Sequence, residues 1–119
     1  MSGEVIIGSG IDIIEISRIK KAVDRWGDEF LSHIFNPEEI AYSSRQKNPY
    51  QHYAVRFAAK EAVFKAVGDL KLSWKDVTIT HDSDGKPVCV HRSPGFSKKI
   101  LISLSHCKEY AVASVIVTS

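Results

Sequence analysis

The stretch RFAAKEAVFKAVG, Arg56 to Gly68, governs the reading of everything around it. Placed on a helix at about 100° per residue, Glu61 falls among Tyr50, Ala54, Phe57, Ala58 and Phe64. Val55, Ala59, Ala62, Val63 and Ala66 line the opposite side, and a helix that is small or apolar almost all round is buried on most of its faces. From Pro49 or Tyr50 to Val67 the segment has no interior Gly or Pro, so it predicts one long helix closed by Gly68 as a left-handed C-cap. An ionised carboxylate in such surroundings needs a cation, a metal or a proton to compensate it. The plain alternative is an ion pair of Glu61 with Lys65 one turn on, worth roughly 0.2–0.5 kcal/mol on an exposed helix.

Working outward from the helix, VIIGSGIDIIEI (residues 5–16) reads as a mostly buried strand whose Gly8 and Gly10 admit close backbone approach. It carries a second isolated carboxylate, Asp12, flanked by isoleucines. Two such carboxylates suit a hard oxygen site for Mg²⁺, which takes one or two protein carboxylates and completes its octahedron with water and phosphate. Their separation of 49 positions matches no general metal motif, and composition does not name a substrate.

Ser17 is the expected cap of a helix through RIKKAVDRW that stops at Gly27. Ile16, Ile19, Val23 and Trp26 share its apolar face, and Arg18, Lys21 and Arg25 form a basic ridge on the other side. DEFLSHIFNPEEIAYSSR predicts two short helices, the second opened by Asn36 as N-cap and Pro37. VTITH and PVCVH read as a hairpin around DSDGK, and ILISLSH with YAVASVIV as another strand pair around CKE. The class is α+β: one early strand, a central helical block and a late antiparallel sheet.

With 119 residues, 44% apolar and 25% charged, the chain has the size of a single domain, and no repeat or linker divides residues 1–119. Cys89 and Cys107 match no zinc spacing and are expected as small buried side chains in a reducing, cytoplasmic setting, without a redox role. The N-terminal stretch, with Glu4, Asp12 and Glu15, lacks the basic region and long apolar run of a signal peptide. The longest uncharged run, YAVASVIVTS, has ten residues, against roughly 20 for a membrane-spanning helix. A net charge of +2 is too mild to imply nucleic acid.

GSGIDIIEISRI, RFAAKEAVFKAVG and LSHCKEYAVASVIV occur here in that order. With their G-x-D, F-x-x-K-E-A-x-x-K and S-H-x-x-x-Y-A patterns, they resemble holo-(acyl-carrier-protein) synthase, the small bacterial type of 4′-phosphopantetheinyl transferase, over nearly the whole chain. The resemblance implies transfer of 4′-phosphopantetheine from coenzyme A to a serine of an acyl carrier protein, with release of adenosine 3′,5′-bisphosphate and Mg²⁺ as cofactor. It makes Asp12 and Glu61 the metal ligands and, with Lys65, the catalytic group. The base that takes the serine proton is left open between Glu61 and a water whose pKa the cation lowers.

Arg56, Lys65, Gly68, His106 and, from an ambiguous alignment of SRQKNPYQHY, Arg45 are the implied coenzyme-binding residues, and His106 and Arg56 are expected on phosphate. The resemblance also implies a homotrimer with coenzyme A held between neighbouring subunits. It further implies docking of the acidic carrier protein on Arg18, with Lys21 and Arg25 beside it. His33, His52, His81 and His91 are left as surface or packing residues. A binding module for an acidic partner or nucleic acid would explain the ridge but leave Asp12 and Glu61 without a purpose. Another Mg²⁺-dependent phosphoryl-transfer enzyme would have to do without a phosphate-cradling glycine loop, since no G-x-x-x-x-G-K-[ST] occurs.

Overall fold

The computed structural model describes residues 3–68, 72–93 and 95–119. β1 (Ile6–Glu15) leads directly into α1 (Ile16–Trp26), and α2 (Asp28–Ile34) and α3 (Pro37–Ser44) follow before the long α4 (Pro49–Val67). After a single 3-10 turn come β2 (Val77–His81), β3 (Pro87–His91), β4 (Lys99–His106) and β5 (Tyr110–Thr118). β1, β5 and β4 form an antiparallel sheet in that order, and β2 and β3 form a separate hairpin. The expected α+β class holds, with the early strand entering the late sheet as its edge.

α4 lies across one face of that sheet because the facing positions are small. Ala54, Ala58, Ala59, Ala62 and Val63 have no exposed surface, and they meet Ala111, Ala113, Val115 and Val117 of β5 among the buried core. The approach is closest at β1. A Cβ added at Gly8 would stand 2.1 Å from the backbone oxygen of Ala66, and one at Gly10 2.1 Å from that of Ala62. Any other residue at these positions pushes the helix off the strand, so the two glycines set the distance between Asp12 on β1 and Glu61 on α4.

Burial alternates along β1, with Gly8, Gly10, Asp12 and Ile14 turned inward and the residues between them exposed. The expectation of a mostly buried strand is therefore corrected: Ile11 and Ile13 are each 64% exposed, because the helix covers only one face of the sheet. Ser17 does not cap α1. Glu15 occupies the N-cap position without a side-chain hydrogen bond, and Ile16 is already helical. Trp26, expected on the apolar face, is exposed and lies under the Arg25 guanidinium at 4.8 Å. Cys107 is exposed, whereas Cys89 is buried and its thiol is pushed up to about 12, out of the range of thiolate chemistry.

The remaining boundaries agree with the sequence reading. Asn36 and Pro37 open α3, and Gly68 closes α4 at φ 67° with its N–H donated to the Phe64 carbonyl. Both hairpins form around the expected turns.

Candidate active site

A cleft of about 420 Å³ opens between β1, α1 and α4, and both Asp12 and Glu61 line it. Ile14, Ile19, Phe30 and Phe57 supply apolar walls, and Arg18 stands at the same opening. Asp12 arrives through the alternation of β1 and the glycine contacts before it, and Glu61 through its place one residue past the buried Lys60 of α4.

Lys65 donates from Nζ to Asp12 Oδ1 at 2.9 Å and to the Ile11 carbonyl at 3.1 Å. The plain expectation of a Glu61–Lys65 pair is thereby corrected, since the lysine reaches across to the strand instead. Among the described residues Glu61 makes no hydrogen bond or ion pair. Its carboxyl is pushed up by burial first and by the neighbouring charge of Asp12 second, and Lys65 offsets this only in part. Lys65 is taken by Asp12, and Arg18 at the opening makes no ion pair with Glu61, so the Glu61 carboxyl is left without a cationic partner among the described residues. No group of three or more His, Cys, Asp and Glu side chains suited to a metal is present among the described residues. A two-carboxylate set still fits an ion such as Mg²⁺ that draws its other ligands from phosphate and water.

Arg18, Lys21 and Arg25 are all exposed on α1, and of the three only Arg18 reaches the cleft. Of the coenzyme-binding residues implied by the resemblance, Lys65 reaches the cleft through Asp12, whereas Arg45, Arg56, Gly68 and His106 do not line it. Gly68 sits at the end of α4, Arg45 is the exposed C-cap of α3, and His106 ends β4. Arg56 is only 2% exposed, its Cζ 4.7 Å from the Tyr42 ring centre. Five residues correspond to about 500° of helix, so Arg56 points roughly 140° away from Glu61. His52 and His81, left aside as packing residues, lie beside it with Tyr42. No sequence signal joins positions 42, 52, 56 and 81, which come from three elements. A larger groove of about 720 Å³ runs between β3 and β4 past Lys86, His91 and Lys99. It holds no carboxylate pair and is the gap between two strand edges, so the chemistry is sought in the smaller cleft.

Against this geometry, a sequence profile of the 4′-phosphopantetheinyl transferase superfamily matches residues 8–115. The chain belongs to that superfamily. It is 47% identical over 115 residues to the holo-(acyl-carrier-protein) synthase of Thermodesulfovibrio yellowstonii, covering 96% of this chain and 100% of the relative. Among solved structures, a holo-(acyl-carrier-protein) synthase from Bacillus anthracis in complex with CoA (3′,5′-ADP) superposes with a TM-score of 0.84 at 37% identity, covering 96% of this chain and 97% of that one. The Helicobacter pylori holo-(acyl-carrier-protein) synthase in complex with coenzyme A gives a TM-score of 0.80 at 31% identity, over 92% of this chain and 98% of that one. The chain is thus an enzyme of the phosphopantetheinyl transferase class, with the α+β fold of these relatives. No helix among the described residues is long and apolar enough to cross a membrane.

Proposed function

We propose that the chain transfers 4′-phosphopantetheine from coenzyme A to a serine of apo acyl carrier protein in a Mg²⁺-dependent reaction that releases adenosine 3′,5′-bisphosphate. The observation that carries the reading is the convergence of Asp12 and Glu61, distant in sequence, on one cleft that also holds Arg18. The names of the similar proteins and the coenzyme bound in two of the solved relatives support the choice of substrates.

In the reaction a bond forms between the serine Oγ and the phosphorus that carries pantetheine, and the bond from that phosphorus to the bridging pyrophosphate oxygen breaks. The leaving bisphosphate takes the electron pair. Asp12 and Glu61 are the residues that would hold Mg²⁺, which when bound neutralises charge on the pyrophosphate oxygens. Lys65, held on Asp12, adds a fixed positive charge at the same end of the cleft. The Glu61 carboxyl, moved upward by burial and by Asp12, is the acceptor we assign to the serine proton. Ile14, Ile19 and Phe57 keep the wall of the cleft apolar, which strengthens each of these charge interactions. Arg18, exposed at the opening, receives the acidic carrier protein; Lys21 and Arg25 extend its positive field and speed encounter.

The active unit we propose is a homotrimer. The outer face of the sheet exposes Ile7, Ile11, Ile13, Leu101 and Ile116, a run of large apolar side chains that another copy would cover. Mixing the chain with apo carrier protein, coenzyme A and Mg²⁺ tests the function by mass spectrometry of the carrier protein. The expected product carries one added phosphopantetheine; an unmodified carrier protein under these conditions overturns the reading.

A further inference from the structure

Phe57 walls the cleft one helical turn before Glu61, and a residue outside the cleft backs it. The Phe57 ring stacks on the Trp74 indole, with centroids 5.1 Å apart and planes inclined by 26°. Phe64 meets the same indole edge-on, at 5.0 Å and 75°. Four and seven residues correspond to about 400° and 700° of helix, so Phe57, Glu61 and Phe64 lie within about 60° of one another on α4. One indole therefore clasps the two rings that bracket the Glu61 carboxylate along the helix.

Trp74 belongs to the 3-10 turn Trp74–Asp76, of which no residue is buried, yet the backbone of the turn is firmly tied. Lys60 Nζ donates to the Trp74 carbonyl at 3.0 Å, and Asn36 Nδ2 donates to the Lys75 carbonyl at 3.2 Å. The Ser73 N–H donates to Asp76 Oδ2 at 2.9 Å, and the Arg92 N–H donates to the Asp76 carbonyl at 2.9 Å. The middle of α4, the cap of α3 and the residue after β3 thus all hold the turn that presents the indole. A side chain in a site keeps one rotamer when the groups that support it are themselves fixed. Stacked and edge-on contacts of this kind also restrict ring orientation, beyond the apolar area they bury.

We propose that Trp74 is a positioning residue of this site: by holding Phe57 in one rotamer it fixes the apolar wall over which the acceptor serine approaches the carboxylates. The proposal rests on the transferase reading above. In-line attack on phosphorus depends on placement, and a displacement of about 1 Å can cost about 10²-fold in rate with the reacting groups themselves intact. With the indole removed, Phe57 turns into the space it leaves and the wall recedes from the cleft. Both substrates still bind, because Asp12, Glu61, Lys65 and Arg18 are untouched, but turnover falls. Plain packing predicts the reverse, a loss of stability with kcat unchanged in the folded chain.

Steady-state transfer to apo carrier protein with coenzyme A and Mg²⁺, together with chemical denaturation of each full chain, tests this. In Trp74→Leu kcat is expected to fall about tenfold, while KM for coenzyme A and for carrier protein stays within about twofold of wild type. Trp74→Phe keeps a ring that can stack and is expected to recover kcat to within about threefold. Phe57→Leu loses kcat to a similar extent, and adding Trp74→Leu to it costs no more than about a further twofold, since the two residues act as one unit. Wild-type kcat in a folded Trp74→Leu chain overturns the proposal, as do equal losses in Trp74→Leu and Trp74→Phe or additive losses in the double variant. Should Trp74→Leu not fold, Phe57→Leu decides: a kcat lower by about tenfold supports the wall, and a wild-type kcat overturns it. A wild-type chain that modifies carrier protein while the variants keep its kcat refutes this inference alone. A wild-type chain that leaves carrier protein unmodified refutes the transferase reading and this inference with it.

Discussion

Lys60 and Glu61 are adjacent on α4 and meet opposite fates. Lys60 has no exposed surface, and its Nζ donates to the Ile34 carbonyl, to Glu39 Oε1 and to the Trp74 carbonyl at 2.8, 2.7 and 3.0 Å. The Glu39 carboxylate accepts in addition from the N–H groups of Asn36 and Ile79. This closed network ties α3, α4 and the start of β2 into one body. Glu61, one residue on and 100° round the helix, faces a cleft with a second carboxylate and accepts no hydrogen bond from the donors there, Lys65 being held on Asp12. The first charge is satisfied by the fold; the second requires something the fold does not supply. A carboxylate left unpaired in a cleft beside a second one marks a candidate ligand site.

The largest effect that separates the two regions is on turnover. Asp12→Asn conserves volume and removes one of the two carboxylates, so transfer to carrier protein is expected to drop by about 10²–10³ or more. The chain should melt near the wild-type temperature, because the lost group held only an exposed lysine. Full Mg²⁺-dependent activity in this variant would show the cleft to be misassigned.

Lys60→Met produces the converse pattern. It strands the Glu39 carboxylate in the core, a type of change that costs about 3–5 kcal/mol. Chemical denaturation should show this, and the double change with Glu39→Gln should recover part of the loss. Variants that fold well while losing all activity would bring Lys60 into the chemistry and dissolve the contrast. Arg18→Glu tests the opening of the cleft with a smaller effect. Carrier-protein affinity is expected to drop about tenfold and coenzyme A affinity little, since rim charges act on encounter. Titrations showing equal losses for the two ligands would reject that division.

The two members of this comparison were not equally legible in the sequence. Asp12 and Glu61 stood out because each breaks an apolar pattern, one of period two and one helical. Their meeting was prepared by Gly8 and Gly10, which the sequence marks as points of close approach. Lys60 gave no signal. A lysine before a glutamate looks like a solvated pair, and its partners are a carboxylate 21 positions away and two backbone carbonyls. The Arg56 cluster was hidden for the same reason, since His52, His81 and His106 become neighbours only when α4, β2 and β4 are packed. The isoleucine run of β1 was misread because a strand buried by its own chain and one left bare on its outer face have the same composition. Trp26 was misplaced because it ends α1, where the stripe continues but the packing partner does not.

The smallest effect is also the most direct reading of the imbalance at Glu61. Its carboxyl lies above the ordinary 4.5 in the folded chain, so between these two values the folded state binds more protons than the unfolded one. Stability therefore falls as pH rises through that window, and the deficit persists at neutral pH. Glu61→Gln removes the charge and is expected to melt above the wild-type chain at pH 7 in a chelator, with the difference vanishing below about pH 4. Adding Mg²⁺ with coenzyme A should stabilise the wild-type chain more than the variant and close or invert the gap. Thermal melts at two pH values, with and without these ligands, measure all four corners. A variant that melts lower than wild type in chelator would mean that Glu61 is satisfied within the fold after all, as Lys60 is.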